Sequence, residues 1–220
     1  MQTKKSPLIF ITGTDGAGKS CISDWLFQYF MKQGLRAGLV WSRFNNFLSK
    51  PLLGLARLTH HNYYKKIDGV LFGFHDFEHL NGFRHLFVLL QAIDVNLAAF
   101  RDIRKARQSY DIIICERGPW DTIVDVITDT GFDNLSNTLL GRVFTMQVRS
   151  GSIVIFINRS KDNIFNSRPE LIHDGKLEKK IDIYNRLAKT YGWFIVDNNQ
   201  SLAAAKMQIC KILGIDITLK

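Results

Sequence analysis

The 220-residue sequence predicts an α/β fold: a doubly wound, mainly parallel sheet of five strands with helices on both faces, plus a small helical lid. Two observations predict it. Five short apolar runs, rich in β-branched residues, alternate with longer stretches of helical period, the pattern of strands buried on both faces. A glycine-rich turn joins the first run to the first helical stretch, and ligands of such sheets bind at the carboxyl ends of the strands.

The strand runs are Leu8–Thr12, Ala37–Trp41, 111–115, 152–157 and 193–196. A helix is predicted over 18–33, because Cys21, Ile22, Trp25, Leu26 and Tyr29 recur at helical spacing and Gly34 follows as a stop. Helical patterns also cover 83–109 and Leu202–Leu213. Pro51, Gly54, Gly69 and Gly73 break any long period in 43–82, so that segment reads as irregular and partly helical, on the acceptor side of the molecule. Residues 158–176, after the fourth strand, read as the lid. Beyond it lies a basic amphipathic stretch whose packing face is Leu177, Ile181, Tyr184, Leu187 and Ala188. No linker or repeat interrupts the chain, which reads as one domain.

Hydrophobic residues make up 46% and charged residues 22%, so a packed core is affordable and bulk disorder is not expected. No apolar run reaches the roughly 18–20 residues that span a bilayer. The basic start is followed by only four apolar residues before the glycine-rich turn, too few for a signal peptide, so the chain reads as cytoplasmic with no membrane partner. The formal charge of +9 is spread along the chain with no run of five cations, which favours a phosphorylated small molecule over nucleic acid. Cys21, Cys115 and Cys210 match no metal spacing and read as small packing residues.

The turn is Gly13-Thr14-Asp15-Gly16-Ala17-Gly18-Lys19-Ser20, a match to G-x-x-x-x-G-K-[ST] placed between strand and helix, where the phosphate loop requires it; Cys21 follows directly. Glycines let successive N–H groups point at phosphate oxygens, and the helix start adds positive potential. Lys19 is expected to reach the β- and γ-phosphates of ATP, and the Ser20 hydroxyl to ligate Mg²⁺. The strand at 111–115 delivers Glu116 and Arg117 to the same sheet edge. A carboxylate there can hold Mg²⁺, directly or through water, or accept a proton, and the arginine can clamp an acceptor phosphate; a plain strand-end salt bridge is the alternative. Asp121, Asp125 and Asp129 fall at i, i+4 and i+8 on the next helix. Like charges at that spacing need partners, in lid cations, salt bridges or a substrate, and Asp121 lies nearest Glu116 as an acceptor-site residue. His75 and His79 could face a metal together on a helix, though no third ligand stands at a motif spacing.

With these motifs placed, the sequence resembles the thymidylate kinase family of nucleoside monophosphate kinases, which have the P-loop NTPase fold of nucleotide-kinase type. The resemblance rests on the phosphate loop with its acidic Asp15, on Glu116-Arg117 in the place of an Asp-Arg pair, and on the ending Ile195-Val196-Asp197-Asn198-Asn199-Gln200-Ser201. It implies γ-phosphoryl transfer from ATP to a nucleoside monophosphate, with Asp15 holding the acceptor's sugar hydroxyl and Arg117 and Arg43 gripping its phosphate. It makes Arg168 the leading catalytic lid arginine, then Arg159, then Lys161, because the loop itself has no arginine. It also implies a homodimer. Gln91 and Val95 occupy the places of the family's base-stacking aromatic and base-reading arginine, so thymine recognition is not carried over. Glu116 is also reminiscent of deoxynucleoside kinases, which leaves a nucleoside or another hydroxyl compound open as acceptor, and a non-catalytic nucleotide-binding protein is the alternative from another class.

Overall fold

The computed structural model describes residues 6–41, 47–67, 69–75, 77–78, 80–146 and 151–216. Five strands form one parallel sheet: β1 (Leu8–Thr12), β2 (Ala37–Trp41), β5 (Ile112–Glu116), β6 (Ser152–Asn158) and β7 (Phe194–Asp197), in the order β2-β5-β1-β6-β7. Strand side chains alternate between faces, and both faces are apolar. Leu8, Phe10, Ile113, Cys115 and Phe156 point into one core, while Ile9, Ile11, Ile114, Ile155 and Ile157 point into the other. The first core is closed by α3 (Asn81–Ser109), α4 (Pro119–Thr130) and α7 (Leu177–Tyr191). The second is closed by α1 (Lys19–Lys32) and α8 (Leu202–Leu213). No helix of the described residues is long and apolar enough to cross a membrane.

The third sheet run is displaced by one residue from its expected place. Asp111 lies outside β5, because its carboxylate accepts from the Arg36 backbone N–H and guanidinium at 2.8–3.1 Å, and that pairing holds the exposed carboxyl down at about 2. Glu116 is therefore the last strand residue.

Segment 43–82 differs more from expectation. It holds α2 (Lys50–Leu58) and an antiparallel hairpin, β3 (Asn62–Ile67) with β4 (Val70–His75), around Gly69 at φ +84°. Tyr63, Tyr64, Lys65 and Lys66 of β3 are all exposed, so no buried alternation marks the strand. His75 thus ends a strand and not a helix; Asp76 and His79 lie outside the described residues. The helices α5 (Leu139–Phe144) and α6 (Lys161–Ser167) complete the described set.

α2 meets the first core through Ala56, Leu52 and Leu53, and the turn that leads into it is anchored by one carboxylate. Asp94, on α3 and 2% exposed, accepts the N–H groups of Phe47, Leu48 and Ser49 at 2.9–3.0 Å and the Ser49 hydroxyl at 2.7 Å. Gln91, one turn earlier, donates to the same Ser49 oxygen at 2.9 Å. This buried acceptor satisfies the N–H groups of the turn that leads into α2. Within α2, Gly54 costs helix stability of about 1 kcal/mol relative to alanine.

Asp94→Ala is expected to lower stability by about 2–4 kcal/mol in urea unfolding, because three N–H groups and a hydroxyl lose a buried acceptor. A change under about 0.5 kcal/mol, the range of an ordinary surface substitution, would contradict the anchoring role.

Candidate active site

The phosphate loop leaves β1 at its carboxyl end and enters α1 at Gly18, whose φ of +97° is left-handed. The approach of Asn198 is equally restrictive: a Cβ on Gly18 would lie 2.6 Å from Asn198 Nδ2. That amide donates to the Ala17 carbonyl at 2.8 Å, so the loop after β7 props the phosphate loop from behind. Lys19 is buried inside the turn, and its ammonium donates to the Gly13 and Thr14 carbonyls at 2.7 and 2.6 Å. It lies 4.0 Å from the Asp15 carboxylate.

β1 and β5 run parallel with Ile11 opposite Glu116, and this brings the two motifs together. Ser20 Oγ donates to Glu116 Oε1 at 2.5 Å. One residue on, Arg117 donates through its backbone N–H to the Ile11 carbonyl at 3.0 Å and through its guanidinium to Asp15. Its φ of +67° is left-handed, an uncommon state for a residue with a Cβ and one that clusters at functional sites. A hydroxyl beside a carboxylate is a hard-oxygen set suited to Mg²⁺, so Ser20 and Glu116 fit that ion.

The lid rests on this loop. A Cβ on Gly16 would lie 2.9 Å from Ile164 and 3.2 Å from Leu171, so only glycine lets α6 and the 3-10 turn Pro169–His173 approach so closely. Arg159 donates to the Gly16 carbonyl at 2.9 Å and to the Ser167 hydroxyl at 3.0 Å, tying loop to lid. Arg168 packs its aliphatic stem beside Gly16, and its half-exposed guanidinium pairs with Glu170. Asn199 Oδ1 accepts from the Ser160 N–H and the Asn163 amide, fixing the root of α6.

The three aspartates of α4 meet an antiparallel row on α7 and the residue before it. Asp121 accepts from the Tyr184 hydroxyl at 2.8 Å, Asp125 lies 3.4 Å from Lys180, and Asp129 lies 2.8 Å from Lys176. Partners at 184, 180 and 176 match 121, 125 and 129 turn for turn, which resolves the like-charge repulsion. Asp121 also accepts the Gly118 N–H at 2.9 Å, so both of its oxygens are engaged. Burial pushes the Asp129 carboxyl up and the His75 imidazole down, and it raises the Tyr184 phenol well above its ordinary value with Asp121 beside it.

Of the residues singled out in the sequence, Gly13 through Ser20, Glu116, Arg117, Arg159 and Arg168 gather at one sheet edge. Cys21 follows the loop and is exposed. Gln91 is fully buried and bound to Ser49, and Arg43 lies outside the described residues. The sequence marks Tyr184 only as a packing residue, Asn198 only within the ending motif and Lys176 only as the end of the lid; the matching four-residue spacings of 121, 125, 129 and 176, 180, 184 carried the signal for their pairing.

No protein-family model matches the chain, and no curated protein matches its sequence. Among solved structures it is similar to the thymidylate kinase from Ehrlichia chaffeensis, with a TM-score of 0.52 and 15% identity over 95% of this chain and 99% of that one. The chain therefore has a thymidylate kinase-like fold.

Because the Asp129 pKa is raised, its protonated form favours folding: that contribution is complete below the ordinary carboxylate range and is lost as pH rises through the raised value. At neutral pH the carboxylate depends on Lys176. Lys176→Met should cost about 1–3 kcal/mol near pH 7.5, less than for a fully enclosed pair because Lys176 is 37% exposed, and the deficit should shrink as pH falls toward about 4. A deficit independent of pH would show that the ion pair does not carry it.

Proposed function

We propose that this chain, as one catalytic domain, transfers the γ-phosphoryl group of ATP to a small acceptor, a nucleoside monophosphate. The observation that carries the reading is the meeting of Ser20 and Glu116 at 2.5 Å beside the Asp15–Arg117 pair, on the edge where Lys19 and two lid arginines converge.

In this reading the turn Gly13 to Ser20 holds the polyphosphate, and Lys19 exchanges loop carbonyls for β- and γ-phosphate oxygens. Ser20 and Glu116 hold Mg²⁺, which when bound spreads the phosphate charge. Arg117 grips the acceptor phosphate and Asp15 an acceptor hydroxyl, so their pairing sets the spacing at which the acceptor is received. An acceptor oxygen forms the new bond to γ-phosphorus as the bond to the β–γ bridging oxygen breaks, and ADP leaves. Arg168 turns from Glu170 to the transferring group as charge develops there. Arg159 latches the lid to the loop, and Asp121 acts through Gly118 and Tyr184 on the turn after Arg117.

A second copy of the chain completes the proposal. Leu86, Leu89, Ile93, Leu97 and Phe100 of α3 are each 37–59% exposed and follow one helical stripe about 21 Å long. An apolar row of this extent on a soluble protein marks an interface, and an antiparallel copy of the same row is its natural complement.

Purified protein incubated with ATP and Mg²⁺ should form ADP with at least one member of a panel of nucleoside monophosphates, nucleosides and sugar phosphates. Turnover with none of them, by protein that binds ATP, would overturn the transferase reading. Arg168→Ala should lower kcat by about 10²–10³ with ATP affinity kept, the scale of losing one donor to developing charge. For assembly, Leu97→Asp should convert a dimer into a monomer by light scattering; a wild-type monomer would refute the dimer.

A further inference from the structure

A cavity of about 180 Å³ opens where β6 and β7 begin, between Ser152, Val154 and Phe194 of those strands, Trp120 on α4 and the turn Tyr191–Trp193 that leads from α7 into β7. Ser152 pairs with Leu8 at the start of β1, five residues before Gly13, so the cavity lies roughly 17 Å along the sheet from the phosphate loop. It belongs to the opposite edge of the sheet.

Its walls are aromatic. The ring of Trp120 stands 4.7 Å from those of Tyr191 and Trp193, tilted against them at 51° and 68°, and Phe194, 46% exposed, forms the rim. No charged side chain lines the cavity.

One polar atom in this wall lacks a partner. Trp120 is 3% exposed, and its Nε1 is buried with no hydrogen-bond partner among the described residues. The Tyr191 hydroxyl, by contrast, donates to the Ser136 carbonyl at 2.7 Å. A buried indole N–H nearly always meets an acceptor, and donation is all it can do. The acceptor must therefore come from a bound molecule.

Volume and lining set the kind of molecule. A dry cavity of about 150 Å³ takes a benzene ring. About 180 Å³ thus holds one six-membered ring with a small substituent. Tilted aromatic walls favour a planar guest, and a charged one would be desolvated with no opposite charge to meet.

We propose that this cavity is a binding site for an uncharged, planar, single-ring molecule whose carbonyl oxygen accepts the Trp120 indole N–H. The site is separate from the phosphate-loop edge and does not depend on the transferase reading.

Benzamide is the simplest probe of that kind. Toluene keeps the ring without the acceptor, acetamide keeps the acceptor without the ring, and benzoate adds a charge. Heteronuclear NMR titrations of the full chain read the contact directly, because the indole N–H signal that disappears in Trp120→Phe belongs to the proposed donor. Benzamide should move that signal downfield and saturate it, with a Kd of about 1 mM or below. Toluene, acetamide and benzoate should each bind at least about fivefold more weakly, the scale of one hydrogen bond. Trp120→Phe keeps a ring but no donor and should weaken benzamide about fivefold while leaving toluene unchanged. Ser152→Leu, at the part-exposed start of β6, fills the cavity without touching the aromatic cluster and should abolish binding of both. ATP affinity should be the same in both variants as in the parent chain. Absence of benzamide binding would overturn the proposal and assign the N–H to an ordered water or a ring face. Acetamide or benzoate binding as tightly as benzamide would overturn it too, as would benzamide affinity untouched by Trp120→Phe or by Ser152→Leu.

Discussion

The parallel register of β1 against β5 is the constraint on which the site depends. With Ile11 opposite Glu116, the strand ends stop at one level, and the residues that follow have no choice of neighbour. Ser20 meets Glu116, and Arg117 meets Asp15, although each pair is separated by about a hundred positions in sequence. A slip of one residue would turn Ile113 and Cys115 out of one core and Ile112 and Ile114 out of the other. Because both faces are apolar, the register is held less by strand alternation than by side-chain shape on each face and by the hydrogen bond from Arg117 N–H to the Ile11 carbonyl. The left-handed backbone at Arg117 is a cost that this arrangement sustains.

A second constraint ties the lid to the core. α7 follows the lid in sequence, and Tyr184 and Lys180 of α7, with Lys176 just before it, answer the aspartates of α4 one turn at a time. Apolar residues in those places would hold α7 against α4 at lower desolvation cost, so burying this row is not explained by stability. What charge supplies is register: a one-turn slide of α7 would place Tyr184 against Asp125 and leave Asp121 unmatched. The segment before α7 is thereby indexed to α4, the helix that begins directly after Arg117.

The sheet and the phosphate-side residues were legible because their signals are local. A β-branched run, a G-x-x-x-x-G-K-S turn and a strand-end Glu-Arg each occupy a few consecutive positions, and Leu202–Leu213 was readable to its last residue from its own period. The hairpin was missed because its outward strand is Tyr-Tyr-Lys-Lys, which buries little, so alternation fails as a guide; the Asp68-Gly69 pair between two β-prone runs was the turn signal to follow. Gln91, expected on the acceptor side, lines a cavity beside α2 while its amide donates to the Ser49 hydroxyl that Asp94 also holds. The partners of the α4 aspartates were narrowed in the sequence to lid cations, salt bridges or substrate. Choosing among them required the antiparallel approach of α7, which no local pattern encodes.

The phosphate-loop edge and the α2–hairpin side of the molecule are consequently built by different means. The phosphate loop, Glu116 and Arg117 are extensions of sheet strands and inherit their precision from a core packed on both faces. The cavity that Gln91 lines is walled by α2 and the hairpin, which lie outside the main sheet; α2 reaches the core through Ala56, Leu52 and Leu53 as well as through Asp94, Gln91 and Ser49. Asp121 and Asp129 mark the two ends of the path between these regions, about 12 Å apart along α4. The hairpin and one face of α2 can therefore be rewritten while β1, β5 and their register stay as they are. That separation fits a chain that keeps a thymidylate kinase-like fold at 15% identity.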